Sequence, residues 1–363
     1  RTLIGYDSKD DAAVYRITDD VALVQTLDFF PPMVEDPYTF GKIAAANSVS
    51  DIYAMGGRPL TALSIIGFPI DQLDGSIMEE ILRGGMDVLN EAGCSLIGGH
   101  SINDDEIKCG FAVTGLIRED SILTRENAGE GDALVLTKPL GTGIVCFGAQ
   151  LGLIGAACVE EAGASMAALN RDAAELLREY GAHACTDITG FGLMGHLVEM
   201  VRKSGLAAEI DMMKIPVFAA VEECLHMGIL PGAIERNQEY SMAWVVVESA
   251  EGEETLPILY DPQTSGGLLV ALPEHAAGKY VKELRARGHA AAAVIGRMVS
   301  PVREGLAGKV IITNTKLENF IGTKEGAVMR KEKICADIEP KTAAPATRES
   351  EQSHESCCDS PPG

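Results

Sequence analysis

The chain has 363 residues, 46% of them hydrophobic, with 53 Asp and Glu against 30 Lys and Arg for a formal net charge of −23. Length and apolar content suffice for a sizeable core in about two domains. The charge excludes nucleic acid and anionic membrane as partners, since both need basic surface, and means that an anionic ligand requires mediating metal cations.

No apolar run approaches the ~18 residues of a membrane span and no charged-then-apolar leader opens the sequence, so a cytoplasmic protein is expected. The cysteines show no Cys-X-X-Cys spacing. Cys94, Cys109, Cys146, Cys158, Cys185 and Cys224 are scattered through apolar stretches, the pattern of reduced, mostly buried thiols.

In chain order, the first dense feature is YDSKDDAAVY, where Asp7, Asp10 and Asp11 crowd just before a predicted strand, AAVYRI. Like charges so close form either a solvated turn or a shared site for a divalent cation. A second strand, VALVQTL, runs into Asp28, DFFPP, where a carboxylate is a turn-former or a site residue exposed at a strand end. The spacing of FGKIAAANSVSDIYAMGG predicts a helix near 38–55, closed by Gly56 and Gly57. Asp51 lies four residues after Asn47 and four before Met55, so neither helical neighbour offers a cation. A solvated helix face is the ordinary reading of such a residue.

Strand TALSIIGF, a helix near 74–92, and strands CSLIGG and CGFAVTGLI complete a mixed α/β first domain, residues 1–124. Within it, LIGGHSI places Gly98, Gly99, His100 and Ser101 after a buried strand, where donors meet an anion or cap a turn. The polar stretch TRENAGEGD, residues 124–132, reads as a linker. A second lobe, residues 131–324, restarts with the strand ALVLTKPLGTG and continues with helices near 165–180 and 191–204 and strands at 243–248 and 266–272. In CTDITGFGLMGH, Asp187 precedes a turn whose Gly190 and Gly192 let backbone approach a phosphate at a helix start, or simply make a tight turn. DPQTSGGLL, residues 261–269, is a similar glycine turn before a strand.

Residues 325–363 are rich in Pro, Ser, Glu and Thr and are expected to be a disordered tail, unable to offset chain entropy by burial. There, Cys357 and Cys358 beside His354 are either incidental or ligands for a soft metal or selenium species.

Scattered aspartates, glycine turns, no evident base and no GxxxxGK[ST] loop together fit phosphoryl transfer. That chemistry holds Mg²⁺ through one or two carboxylates plus substrate phosphates.

The run DFFPPMVEDPYTFGKIAAANSVSDIYAMGGRP, followed in order by GGHSI, TKPLGTG, TDITGFGLMGH and DPQTSGGLL, closely resembles the selenophosphate synthetase (selenide, water dikinase) family over residues 4 to 313. The resemblance implies an α+β chain of two α/β lobes in the aminoimidazole ribonucleotide synthetase-like fold. It implies a homodimer whose first domains pair into a β-barrel, and conversion of ATP, selenide and water into selenophosphate, AMP and phosphate.

Carried over by motif, Asp11, Asp51 and Asp187 are expected to be magnesium ligands. Ser8, Lys9, Asp10, Asp28 and Asp51, with Gly99, His100 and Ser101 reaching the partner subunit's nucleotide, are the expected ATP-binding positions. On this reading Asp51 lacks a cationic neighbour because its partner is a metal ion.

The family also carries, ahead of the first aspartates, a glycine-rich segment with a reactive Cys or selenocysteine and an essential Lys. The sequence starts at Arg1 and none of its residues is assigned those roles. The expectation is that the natural protein extends upstream through an in-frame UGA codon. Two alternatives stand beside this reading: another ATP-dependent member of the fold that activates an amide or carbamoyl oxygen, and a non-catalytic ATP-binding dimer with a regulatory role.

Overall fold

A computed structural model describes residues 1–248, 253–301 and 305–314. The tail expectation for 325–363, with Cys357 and Cys358, lies outside the described residues.

The first lobe is one mixed sheet backed by two helices. Its elements are β1 (Thr2–Ile4), β2 (Ala13–Arg16), β3 (Val21–Phe30), α1 (Pro37–Ala54), β4 (Arg58–Phe68), α2 (Gly75–Glu91), β5 (Ser95–Asn103) and β6 (Lys108–Arg118). The strand order is β1-β2-β3-β6-β4-β5, and only β4 and β5 run parallel.

Local chemistry fixes α1 at both ends. The Asp36 carboxylate accepts from the Thr39 N–H at 2.8 Å, Pro37 occupies the first turn, and Gly56 takes a left-handed φ of 81° just past the last turn. The helix is buried along almost its whole length, because the sheet, α2 and the second lobe cover different sides. A Cβ at Gly41 would fall 1.8 Å from the Ile81 carbonyl oxygen, so the crossing of α1 and α2 is backbone against backbone.

Alternation along β3 decides which way the first lobe's carboxylates face. Ala22 and Val24 are buried under α1, so Thr26 and Asp28 share that face, while Leu27 and Phe29 are exposed on the other.

The second lobe contains β7 (Asp132–Leu136), α3 (Thr142–Gln150), α4 (Ala156–Ala167), α5 (Arg171–Leu177), β8 (Ala184–Asp187), α6 (Gly192–Ser204), β9 (Ala207–Asp211), α7 (Val221–His226), α8 (Ala233–Ser241), β10 (Val245–Val247), β11 (Leu268–Pro273), α9 (Glu274–Ala286), β12 (Ala293–Val299) and β13 (Val310–Asn314). Its sheet order is β10-β13-β9-β12-β7-β11-β8. Leu134, Leu136, Leu197, Ile210, Leu269 and Ile295 form the centre of its core. Five of the six scattered cysteines are buried and Cys158 is half-buried, as expected of reduced thiols. No helix of the described residues is long and apolar enough to cross a membrane.

One local expectation is corrected. The helix predicted near 165–180 is two helices: Ala168 turns extended after the first, and Asn170, at the start of the second, donates its side-chain N–H₂ to the Ser50 hydroxyl and the Gly266 carbonyl, both at 2.9 Å. The stretch 124–132, expected as a linker, joins the two lobes but is packed at its start. Thr124 bridges to Ala184 as a strand neighbour, and Arg125 is buried.

Candidate active site

The two lobes bring together three carboxylates from three separate elements. Asp51 projects from the last turn of buried α1, Asp187 ends β8, and Asp11 lies just before β2. One carboxylate oxygen from each lies within 4.8 Å of the others. Asp11 Oδ2 and Asp187 Oδ2 are buried and have no hydrogen-bond partner. Asp51 Oδ2 accepts from the Thr26 hydroxyl. Three carboxylates converging from three elements, two of them with buried, unpartnered oxygens, are the donor set of a hard divalent cation, so the residues present fit Mg²⁺.

Electrostatics describe the same site in the metal-free chain. Burial pushes Asp187 up to about 7, with the Asp11 charge adding to it. Asp51 is held well above the ordinary carboxylate range, first by burial and then by the charges of Asp187, Asp28 and Asp11. Burial also raises Asp11, although the Arg125 guanidinium and the Thr186 hydroxyl oppose it. Acids forced together in low dielectric retain protons until a cation replaces them.

A polar shell orients these groups. Asp28 faces the site from β3, raised to about 6 by burial, and accepts from Asn47 Nδ2 at 2.9 Å. Asn47 in turn accepts from the Ser265 N–H at 3.0 Å, tying α1 to the second lobe. Lys138, in TKPLGTG, is fully buried and donates to the carbonyls of Ala168 at 2.7 Å and Ser265 at 3.0 Å. Burial without a carboxylate partner pulls it down to about 7.

The other expected positions fall in different places. Ser8 bonds its own turn, donating to the Gly5 carbonyl at 2.7 Å. Lys9 has a left-handed φ of 52°. The Asp10 carboxylate is engaged within the protein, by the Arg125 N–H at 3.2 Å and by Lys203 Nζ at 3.2 Å. Gly99, His100 and Ser101 are exposed on β5, an edge strand three steps from β3, which is about 14 Å at the usual strand spacing. Within one chain they are not brought to the aspartates.

The turn DPQTSGG serves a structural purpose at its start. Asp261 Oδ2 accepts from the Gly143 N–H at 3.1 Å and Gln263 Oε1 from the N–H groups of Gly141 and Thr142 at 3.0 and 3.2 Å. Of the two alternatives, an anion site or a cap, these two side chains make a cap for α3.

Sequence reasoning missed Thr26, Asn47, Arg125 and Lys138. Thr26 had a readable signal, two positions before Asp28 on the same face of an alternating strand. Arg125 had none, because its burial depends on β8 lying alongside.

Matches to known proteins cover most of the chain. Residues 9–117 match the AIR synthase related protein N-terminal domain, and residues 129–309 its C-terminal domain. Selenide, water dikinase from Pelobacter propionicus is 49% identical over 297 residues, covering 82% of this chain and 85% of its own. Selenide, water dikinase 2 from Peptoclostridium acidaminophilum is 47% identical over 300 residues, covering 83% and 86%. Among solved structures, hydrogenase maturation protein HypE in complex with ATP has a TM-score of 0.63 at 21% identity, covering 85% of this chain and 86% of that one. Thiamine monophosphate kinase from Aquifex aeolicus has a TM-score of 0.58 at 20% identity, covering 81% and 88%. The structural likenesses are of fold alone, whereas the sequence identities hold over four-fifths of the chain, and the chain belongs to the selenide, water dikinase family within the AIR synthase related fold.

Proposed function

We infer that the chain catalyses ATP-dependent synthesis of selenophosphate from selenide and water, releasing AMP and phosphate. The observation that carries this reading is the convergence of Asp11, Asp51 and Asp187, two of them with unpartnered buried oxygens, in a chain 49% identical to a selenide, water dikinase.

Asp11, Asp51 and Asp187 would hold Mg²⁺, which neutralises polyphosphate oxygens so that an anionic nucleophile can approach. The chain's own contribution is positional. Thr26 fixes the rotamer of Asp51, and Asn47 fixes Asp28 beside it for the nucleotide. Burial of Asp51 and Asp187 excludes water, which strengthens each electrostatic contact made there. Ser8, Lys9 and Asp10, in the turn that carries Asp11, are assigned to the same nucleotide.

We assign the nucleotide-binding role of Gly99, His100 and Ser101 to the partner subunit's site. In support, the face of the first sheet away from α1 exposes Leu27, Phe29, Leu63 and Ile97 beside the free edge of β5. Isolated proteins rarely leave so much contiguous apolar surface in water. Pairing of two such sheets would cover it, bring β5 toward the second copy and make a homodimer. The working division places the nucleotide and dimer functions in residues 1–124 and the second lobe in 131–324.

Phosphorus NMR of the purified chain with Mg-ATP and selenide, without oxygen, tests the activity. Selenophosphate and AMP should appear together and only when selenide is present. ADP as the nucleotide product, or AMP formed equally without selenide, would contradict the assignment.

A further inference from the structure

Among the described residues, one cation makes an ion pair with the aspartate triad, and it is Arg125. Its guanidinium is almost fully buried and all three nitrogens are engaged. NH2 pairs with Asp11 Oδ1, Nε donates to the Thr186 hydroxyl at 3.0 Å, and NH1 donates to the Lys9 carbonyl at 3.1 Å. The Arg125 backbone N–H donates to Asp10 Oδ1, and the Thr186 hydroxyl donates to Asp11 Oδ1 at 2.8 Å. One oxygen of Asp11 is therefore saturated, while the other is left unpartnered and buried.

Arg125 also grips a strained segment. Lys9 and Ser265 are the non-glycine residues with positive φ among the described residues, and both border the acidic site. A left-handed conformation costs a side-chain-bearing residue about 1–2 kcal/mol and persists only where surrounding contacts impose it. At Lys9 the contact is Arg125 on its carbonyl. Lys203 of α6 completes the hold on the same turn through Asp10.

We propose that Arg125 is a positioning residue that acts as the site's resident cation. In the metal-free chain it supplies positive charge that the buried aspartates otherwise lack, and it aims Asp11 Oδ2 at the triad. The same charge opposes an arriving divalent cation, so the preformed site is kept at the expense of metal affinity. This rests on reading Asp11, Asp51 and Asp187 as a divalent-cation site. Arg125 is needed most when the metal is absent, whereas a residue with only a packing role would matter equally in both states.

The test is thermal unfolding of the full chain, and of Arg125→Met and Arg125→Lys, across a MnCl₂ titration. Arg125→Met should melt below the unsubstituted chain without metal, and the gap should shrink by at least half at saturating Mn²⁺. Arg125→Lys, which keeps the charge, should follow the unsubstituted chain more closely. A gap that stays constant overturns the proposal and leaves Arg125 a packing residue.

Should Arg125→Met not fold, Arg125→Gln keeps hydrogen-bond donors without charge. It should bind Mn²⁺ at least threefold more tightly by competition against a fluorescent chelator, and unchanged or weaker binding overturns the proposal. A chain whose melting does not respond to Mn²⁺ at all, with or without Arg125, instead refutes the metal-site reading beneath it.

Discussion

Asp51→Asn separates a metal ligand from a structural carboxylate, because the two roles predict opposite effects on the metal-free chain. Asp51 is buried, and its oxygens approach those of Asp187 and Asp11 within 4.8 Å. Two unit charges at that distance repel by about 3–4 kcal/mol at an effective dielectric of about 20. Retained protons already relieve much of this, since burial and the neighbouring charges hold Asp51 well above the ordinary range. A net gain of about 1–2 kcal/mol then remains when the charge is removed, while the asparagine carbonyl still accepts from Thr26. At about 2–4 °C per kcal/mol, the variant in EDTA should melt about 2–8 °C higher than the unsubstituted chain.

Magnesium should raise the melting temperature of the unsubstituted chain by the binding linkage, about 2.7 kcal/mol at a hundredfold excess over Kd, and should do little for the variant. Differential scanning calorimetry with and without Mg²⁺ reads both effects. Lower stability of Asp51→Asn without metal, or an undiminished response to Mg²⁺, would refute the reasoning.

Four further outcomes follow from the same geometry. Asp187 rises from 3.8 to about 7 on folding, so its native state binds the extra proton between those values. Metal-free stability should therefore fall as pH rises through that window, while the Mg²⁺-induced rise in melting temperature should grow from pH 6 to 8; a response independent of pH would count against it. Thr26→Val removes the donor to Asp51 at nearly constant volume and should weaken Mn²⁺ binding by about tenfold without unfolding the chain, measured by calorimetric titration. Asp261→Ala orphans the Gly143 N–H and one proton of Gln263 Nε2, costing about 1–3 kcal/mol for each orphaned group; the urea midpoint should drop while the response to Mg²⁺ is kept. Leu27→Asp together with Ile97→Asp places charge on the exposed sheet face and should convert the proposed dimer to a monomer by light scattering.

How far the sequence revealed the site depended on how local each signal was. Helix α1 was legible because its small-residue spacing and its glycine stop lie within one continuous stretch, and Asp51 stood out for lacking a cation at helical spacing. Asp11, Asp28 and Asp187 were identifiable as carboxylates at the ends of strands.

What could not be read was non-local. The burial of Arg125 depends on β8 lying beside Thr124, and nothing between residues 124 and 132 encodes that. A helical pattern breaks between Ala168 and Asn170, where Asn170 is held by Ser50 and Gly266, far away in the chain. The glycine turn DPQTSGG left an anion site and a cap both open, and only the fold shows Asp261 and Gln263 satisfying the helix start that follows TKPLGTG. Strands β8, β9, β12 and β13, of four to seven residues, were too short for a period to declare itself.

The central claim is that three aspartates from two lobes share one divalent cation. Crystals of the chain grown with Mn²⁺ and a non-hydrolysable ATP analogue, measured at a wavelength where manganese scatters anomalously, test it most directly. An anomalous peak is expected at about 2.2 Å from carboxylate oxygens of Asp11, Asp51 and Asp187, the distance of an oxygen-bound divalent ion of this size. A peak that leaves any of the three uncoordinated, or that sits elsewhere on the protein, would contradict it.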